Sequence, residues 1–417
     1  MKKLLVTVIA FLALSYSITF AQSGWVQQNS GVSGWIKDVQ FVNENTGWAV
    51  GIYDILIKTT NGGANWFSQR IDTIQSYNTV FFIDSQTGWV AGYNSRFMKT
   101  TNGGNNWVIQ NVTPGSNFFT IYFINSQTGW AAGYLIPFPS GGFYMKTTNG
   151  GNNWDSYYPS PTPWHNRATY FFDSQTGWIV GDCGIQYTTN SGINWVDQNI
   201  TFSSSYGIQF IDLQTGYTAC QDGIVCKTTN RGSNWILQST GTNKNLKSLY
   251  FINSQTGWVV GDSGTARRTT NGGLNWITQN FPPINSLASV SFVNLLTGWI
   301  VGSNGVILKT TNGGISAVNN ISTETPSSFS LSQNYPNPFN PVTKIRFDVP
   351  SVIQASLLIN LKVYDITGRE IQTLVNESLK PGTYEATFDG SKLNSGVYFY
   401  KLMTEGFTET KKMLMIK

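Results

Sequence analysis

The sequence predicts an all-β chain: a seven-bladed β-propeller whose N-terminal strand closes the last blade, followed by a small immunoglobulin-like β-sandwich. Three observations predict it. A Thr-Gly-Trp element recurs at Thr46, Thr87, Thr128, Thr176, Thr215 (as Thr-Gly-Tyr), Thr256 and Thr297, with successive spacings of 41, 41, 48, 39, 41 and 41. A Thr-Thr-Asn element keeps step, from Thr59 through Thr100, Thr147, Thr188, Thr228 and Thr269 to Thr310. The seventh unit lacks its last strand, and a matching segment stands before the first.

A period near 40 residues with four short apolar segments per unit is the pattern of propeller blades, small sheets that cannot bury their faces alone. In one unit the segments are Leu249-Tyr250-Phe251-Ile252, Gly257-Trp258-Val259-Val260, Thr265-Ala266-Arg267-Arg268-Thr269 and Asn275-Trp276-Ile277-Thr278-Gln279. Each is rich in aromatic or β-branched residues and bounded by Gly, Asn, Asp or Ser. The fourth-strand tryptophans are Trp66, Trp107, Trp154, Trp195, Trp235 and Trp276, whereas the seventh unit ends Gly313-Gly314-Ile315-Ser316-Ala317. Gly24-Trp25-Val26-Gln27-Gln28 supplies the missing strand, so the ring is expected to have no open edge. A ring of about 300 residues buries roughly 75% of its unfolded surface and needs no disulfide.

Residues 1–21 carry Lys2 and Lys3, the apolar run from Leu4 to Leu14 and a small-residue ending at Thr19 and Ala21, the pattern of an export signal. The run is too short to span a bilayer, and no transmembrane segment is expected in the mature chain. The formal charge of +5 divides as +2 in the signal, +1 in residues 22–326 and +2 in residues 327–417. A nearly neutral ring offers no basic stripe, so nucleic acid is not an expected partner. Cys220 and Cys226 flank Gln221-Asp222-Gly223 and oppose each other only if that loop holds an odd number of residues; free thiols are the expectation. With His165 the one histidine and Cys183 in another blade, neither a metal nor a cofactor is expected.

The box Thr269-Thr270-Asn271-Gly272-Gly273-Leu274-Asn275-Trp276 resembles the Asp-box of bacterial neuraminidase-type (BNR) repeats, with Asn in place of Asp. A short Asx side chain there can satisfy turn N–H groups, and the second Gly supplies positive φ. Together with Thr-Gly-Trp-x-x-Gly, the unit is similar to that of the photosystem II assembly and stability factor family, which implies a seven-bladed ring over about residues 22–318 and leaves the ligand open.

After a polar linker, residues 319–329, comes Leu331-Ser332-Gln333-Asn334-Tyr335-Pro336-Asn337-Pro338-Phe339-Asn340-Pro341, then Val363-Tyr364-Asp365-Ile366-Thr367-Gly368-Arg369-Glu370 and Ser395-Gly396-Val397-Tyr398-Phe399-Tyr400, ending in Lys411-Lys412-Met413-Leu414-Met415-Ile416-Lys417. Residues 330–417 resemble the type A sorting domain of the type IX (Por) secretion system. The resemblance implies the secretion machinery as a partner and a secreted or outer-surface location reached through the periplasm.

Residues repeated in every blade are expected to build blades: the Thr-Gly-Trp tryptophans by inter-blade packing, and Lys58, Lys99, Lys146, Lys227 and Lys309 as a solvated strand position. Two insertions differ from the repeat, Tyr134 to Phe143 and Asp155 to Arg167. Second-to-third-strand loops and fourth-to-first connections share one propeller face, so the insertions bring Tyr134, Phe138, Phe143, Tyr157, Tyr158, Trp164, His165 and Arg167 to one rim as a candidate surface for a protein or glycan ligand. Mutual packing of these loops is the competing expectation.

A catalytic role is the rival. Neuraminidase chemistry needs an arginine cluster and a Tyr activated by Glu, but between residues 22 and 317 Glu44 is the sole glutamate and six arginines are scattered. An Asp-box glycoside hydrolase would draw its carboxylates from Asp182, Asp222 and Asp262, which sit at equivalent turns and read most simply as turn formers. The expectation is therefore a non-catalytic binding propeller.

Overall fold

A computed structural model of the chain describes residues 24–69, 76–136, 142–158, 165–182, 184–198, 204–279, 281, 283–314, 318–322, 324–351, 357–379, 381–391 and 393–417. It divides into two compact units, Ser23–Asn319 and a second built on Asn320–Lys417.

The first unit holds seven four-stranded antiparallel sheets. Their first strands are Ile36–Phe41, Tyr77–Phe82, Ser116–Phe123, Asn166–Phe171, Ser205–Phe210, Leu246–Phe251 and Leu287–Phe292. The second strand of each begins at the Gly of the Thr-Gly-Trp (or Thr-Gly-Tyr) element and is buried over its first five residues, as in Gly47–Gly51 and Gly88–Gly92. That glycine has a steric reason: a Cβ on Gly47 would lie 2.6 Å from the ring of Phe41. The other face of Phe41 stacks on Trp299 of the seventh blade at 3.4 Å. The same sandwich recurs as Trp48 on Phe82, Trp89 on Phe123, Trp130 on Phe171, Trp178 on Phe210, Tyr217 on Phe251 and Trp258 on Phe292. The repeated tryptophans are thus the packing between successive blades, burying two large rings per interface.

The Asn boxes are turn chemistry as expected. Thr59 Oγ1 accepts from Gly63 N at 2.8 Å, and Asn61 Oδ1 accepts from Asn65 N at 2.9 Å. The lysine set is a correction. Lys99 Nζ donates to the Gly150 carbonyl of the next blade at 2.7 Å while lying 5.6 Å from the centre of the Trp89 ring. Lys227 does the same to Gly272, so these side chains tie one blade to the turn of the next instead of extending into solvent.

In the seventh sheet, Val26–Gln28 pairs antiparallel with the third strand, Val26 opposite Lys309 and Gln28 opposite Ile307. Trp25 is buried and its Nε1 donates to Gln279 Oε1 at 2.9 Å. Cys220 and Cys226 flank the three-residue turn Gln221–Gly223, an odd loop, and their sulfurs lie 3.6 Å apart as buried free thiols; Cys183 lies outside the described residues.

Seven β-bulges mark the inner strands. Register slips by one between Ile36 and Asp38, Tyr77 and Thr79, Phe118 and Thr120, Asn166 and Ala168, Ser205 and Gly207, Leu246 and Ser248, and Leu287 and Ser289. The skipped residues are Lys37, Asn78, Phe119, Arg167, Tyr206, Lys247 and Ala288. A bulge leaves its extra residue unpaired and re-aims its side chain.

The second unit has two four-stranded sheets, one containing Val342–Val349 and Gly382–Asp389, the other Leu357–Tyr364, Glu370–Leu379, Gly396–Met403 and Thr408–Met415. Alternation along Val342–Val349 puts Ile345, Phe347 and Val349 inside. The Asn-Tyr-Pro-Asn-Pro-Phe segment grips the last strand: Asn337 Oδ1 accepts from Leu414 N at 2.9 Å, and Phe339 exchanges backbone bonds with Leu414 and Ile416. Buried Asn334 donates to Thr343 Oγ1 at 3.0 Å, and its N–H donates to Tyr400 Oη. Val318–Ser322, where the expected propeller passes into the expected linker, forms a strand beside Gly382–Asp389, covering an edge that would otherwise be exposed.

Candidate binding site at the mouth of the ring

The seven bulge residues converge on one end of the central channel. A cavity of about 310 Å³ there is lined by Trp35, Lys37, Asn78, Tyr93, Phe119, Arg167, Tyr206, Lys247 and Ala288, with all seven bulge residues among them. Below it the inner strands enclose a channel cavity of about 530 Å³ that reaches Asp38, Gln40 and Tyr122. The repeat supplies the position and the blades vary the side chain, giving three cations, two aromatics, an amide and a methyl.

One position recurs just after the glycine (Cys220 in the fifth blade) that ends the shared five-residue stretch of each second strand, and it holds Ile52, Tyr93, Tyr134, Asp182, Gln221, Asp262 and Ser303. Four of these, Tyr93, Tyr134, Asp182 and Asp262, contact bulge residues. Asp182 takes Arg167 Nε at 2.5 Å and His165 Nδ1 at 2.8 Å. Asp262 takes Lys247 Nζ at 2.6 Å and the Ser286 hydroxyl at 3.0 Å. These two aspartates therefore do more than form turns: each neutralises the bulge cation of its own blade. Asp222 is exposed in the three-residue turn at φ 56°.

The aromatics form a chain of ring contacts around the mouth, edge to face at Tyr93–Phe119 and tilted at the next two pairs. Tyr93 meets Phe119 at 6.3 Å and 87°, Phe119 meets Tyr134 at 5.6 Å, and Tyr134 meets His165 at 4.6 Å. The Arg167 guanidinium lies 5.0 Å from the Tyr206 ring and 5.8 Å from Phe119. Lys37 Nζ sits 3.2 Å from the centre of the Trp35 ring, and Lys247 Nζ approaches the same ring at 5.0 Å. Ala288, in the blade between them, adds only a methyl group to the intervening wall. Burial, with the neighbouring Lys247 charge, lowers the Lys37 pKa to about 8.

Of the sequence-predicted rim, the structure brings Tyr134, His165 and Arg167 together and joins them to the mouth. Phe143 is corrected: it is the second residue of the strand Gly142–Thr147, is 0% exposed and packs on Phe118 in the core. Tyr157 stacks on Tyr144 at 5.0 Å, at the outer strand of its blade, and Tyr158 is 58% exposed. Phe138 and Trp164 lie outside the described residues. The residues missed from sequence are Trp35, Lys37, Asn78, Tyr93, Phe119, Tyr206, Lys247 and Ala288. A signal for seven of the mouth positions was present: residues 37, 78, 119, 167, 206, 247 and 288 repeat the spacings of the Thr-Gly-Trp element but change in residue type.

Residues 18–114 and 233–327 match the family model of the photosynthesis system II assembly factor YCF48, and residues 333–417 match that of the secretion system C-terminal sorting domain. No curated protein sequence matches the chain. Among solved structures, a YCF48 bound to D1 peptide is similar with a TM-score of 0.58 and 21% identity, covering 70% of this chain and 99% of that one. YCF48 from Cyanidioschyzon merolae is similar at 0.57 and 17%, covering 69% and 98%. The WD40 β-propeller domain of Doa1 follows at 0.56 and 11%, covering 68% and 96%. The chain thus carries a propeller of the YCF48-like repeat type joined to a type IX secretion sorting domain, which directs export to the cell surface or beyond.

Proposed function

We propose that this protein is an exported, non-catalytic propeller that binds a protein partner through the mouth of its ring, reaching the surface or medium by way of the periplasm. The observation that carries the reading is the bulge ring. A shared backbone device aims one residue per blade at a single cavity, and five of the seven are cations or aromatics, Arg167 and Tyr206 being of the types that dominate contact energy at protein interfaces. The cavity admits a peptide segment or loop and not a folded domain. A structurally similar propeller is described as bound to a peptide, which favours a protein ligand over a glycan. The hydrolase alternative draws no support from the turn carboxylates, because Asp182 and Asp262 are each held by a cation of their own blade.

The test is to pan a displayed library of random peptides against the mature chain and against a Phe119→Ala/Tyr206→Ala variant of equal thermal stability. Peptides enriched on the parent and lost on the variant support the mouth. Enrichment unaffected by the variant contradicts it, as would hydrolysis of a polysaccharide that disappears on changing Asp182 or Asp262.

A further inference from the structure

Three cations face the mouth, and they are not equivalent. Arg167 and Lys247 each have a carboxylate in the residue following the second strand's terminal glycine of their own blade, Asp182 after Gly181 and Asp262 after Gly261. In the first blade that position, after Gly51, is Ile52. Its backbone keeps the shared geometry, since Ile52 N donates to the Trp35 carbonyl at 3.0 Å as Asp262 N donates to that of Asn245 at 2.9 Å. Only the carboxylate is missing. Among the described residues, no Asp or Glu forms an ion pair with Lys37.

We infer that Lys37 is an anion subsite: the mouth takes an acidic side chain from an extended peptide segment, whose carboxylate fills the place that Asp182 and Asp262 fill in their own blades. Trp35 holds the Lys37 ammonium from beneath, and Lys247 stands on the same ring with its own charge already shared with Asp262. An unpaired, partly desolvated ammonium beside a second cation is costly, and an incoming carboxylate relieves that cost with a charge-assisted hydrogen bond. Burial, and then the neighbouring Lys247 charge, lower the Lys37 pKa, and an incoming carboxylate would oppose both effects. Acidic peptide is favoured over anionic glycan because the Trp35 face, the flat platform a sugar would need, is taken by Lys37, while Tyr93 and Phe119 meet edge to face and so pack on one another.

The inference rests on the mouth being the binding surface, and the experiment separates the two. Fluorescein-labelled hexaglutamate and hexaglutamine are titrated by fluorescence anisotropy into the mature chain at 0.15 M salt. Hexaglutamate is expected to bind at least about tenfold more tightly than hexaglutamine. Lys37→Ala and Ile52→Asp should each remove at least about tenfold of that affinity, the second by supplying an internal partner, while Lys37→Arg retains it. Because Ile52 is partly exposed, Ile52→Asp keeps the fold, and an unchanged melting temperature verifies this. Equal binding of the two peptides, or indifference to Ile52→Asp, overturns the anion subsite. Should peptides then still depend on Phe119 and Tyr206, the mouth survives and only the subsite fails. Tighter binding of polygalacturonate than hexaglutamate, with the same dependence on Lys37, overturns the peptide in favour of an acidic glycan.

Discussion

Ser289 of the seventh blade donates its hydroxyl to Asp38 Oδ1 of the first at 2.8 Å, while the other oxygen of that carboxylate takes Val80 N of the second blade at 3.0 Å. One side chain thus joins three blades at the channel wall. Asp38→Ala leaves Val80 N without its acceptor and should lower unfolding free energy by roughly 2–4 kcal/mol, read by urea denaturation. A loss within error of zero would mean that the carboxylate contributes nothing net to blade docking.

The N-terminal strand should matter as much as any blade. Trp25→Ala removes a buried ring and its bond to Gln279, at an expected cost of about 3–5 kcal/mol. Deleting Ser23 to Asn29 also opens the edge at Lys309 and should lower the melting temperature further and promote aggregation. A truncated chain that melts with the parent would contradict the role assigned to Val26–Gln28.

Export should depend on the second unit and folding of the ring should not. Removing residues 330–417 should leave a folded propeller in the periplasm of the native host, detected by fractionation and protease resistance. Normal levels of the truncated chain at the surface or in the medium would contradict the sorting role.

Binding of an acidic peptide should weaken at alkaline pH. Lys37 titrates near pH 8, facing Lys247 across Trp35, with Asp38 adjacent in sequence, Arg167 elsewhere on the rim and Asp262 held by Lys247. Below pH 8 the ammonium is charged and affinity is flat. As pH rises through 8 the charge is lost, and affinity falls by up to about tenfold per unit until the pKa of the complex is reached. Lys37→Arg should abolish that falling limb, and a parent curve flat from pH 7 to 10 would count against Lys37.

The period, the Asn boxes and the N-terminal strand were legible because they rest on local rules: turn chemistry, aromatic spacing and an unpaired edge. Inter-blade packing of the Thr-Gly-Trp tryptophans was legible for the same reason, though their phenylalanine partners, such as Phe82 under Trp48, were not. Phe143 was misassigned because an insertion read from spacing alone has no sharp end, and strand pairing begins at Gly142, which turns Phe143 into the core. The bulge ring escaped because strict alternation assigns Lys37 to the face opposite Ile36 and Asp38, whereas the inserted residue breaks that alternation toward the mouth. The inter-blade reach of Lys99 and Lys227 was hidden for a different reason: a long side chain at an outward strand position meets the next blade only once the ring is assembled.

The most direct measurement is hydrogen exchange of the mature chain with and without the tightest peptide from the display selection. Protection concentrated at residues 35–38, 76–79, 117–120, 165–168, 204–207 and 245–248, on several blades at once, is the predicted result. Protection confined to the opposite face, or to the outer strands around Tyr157 and Val196, would contradict a mouth-binding propeller.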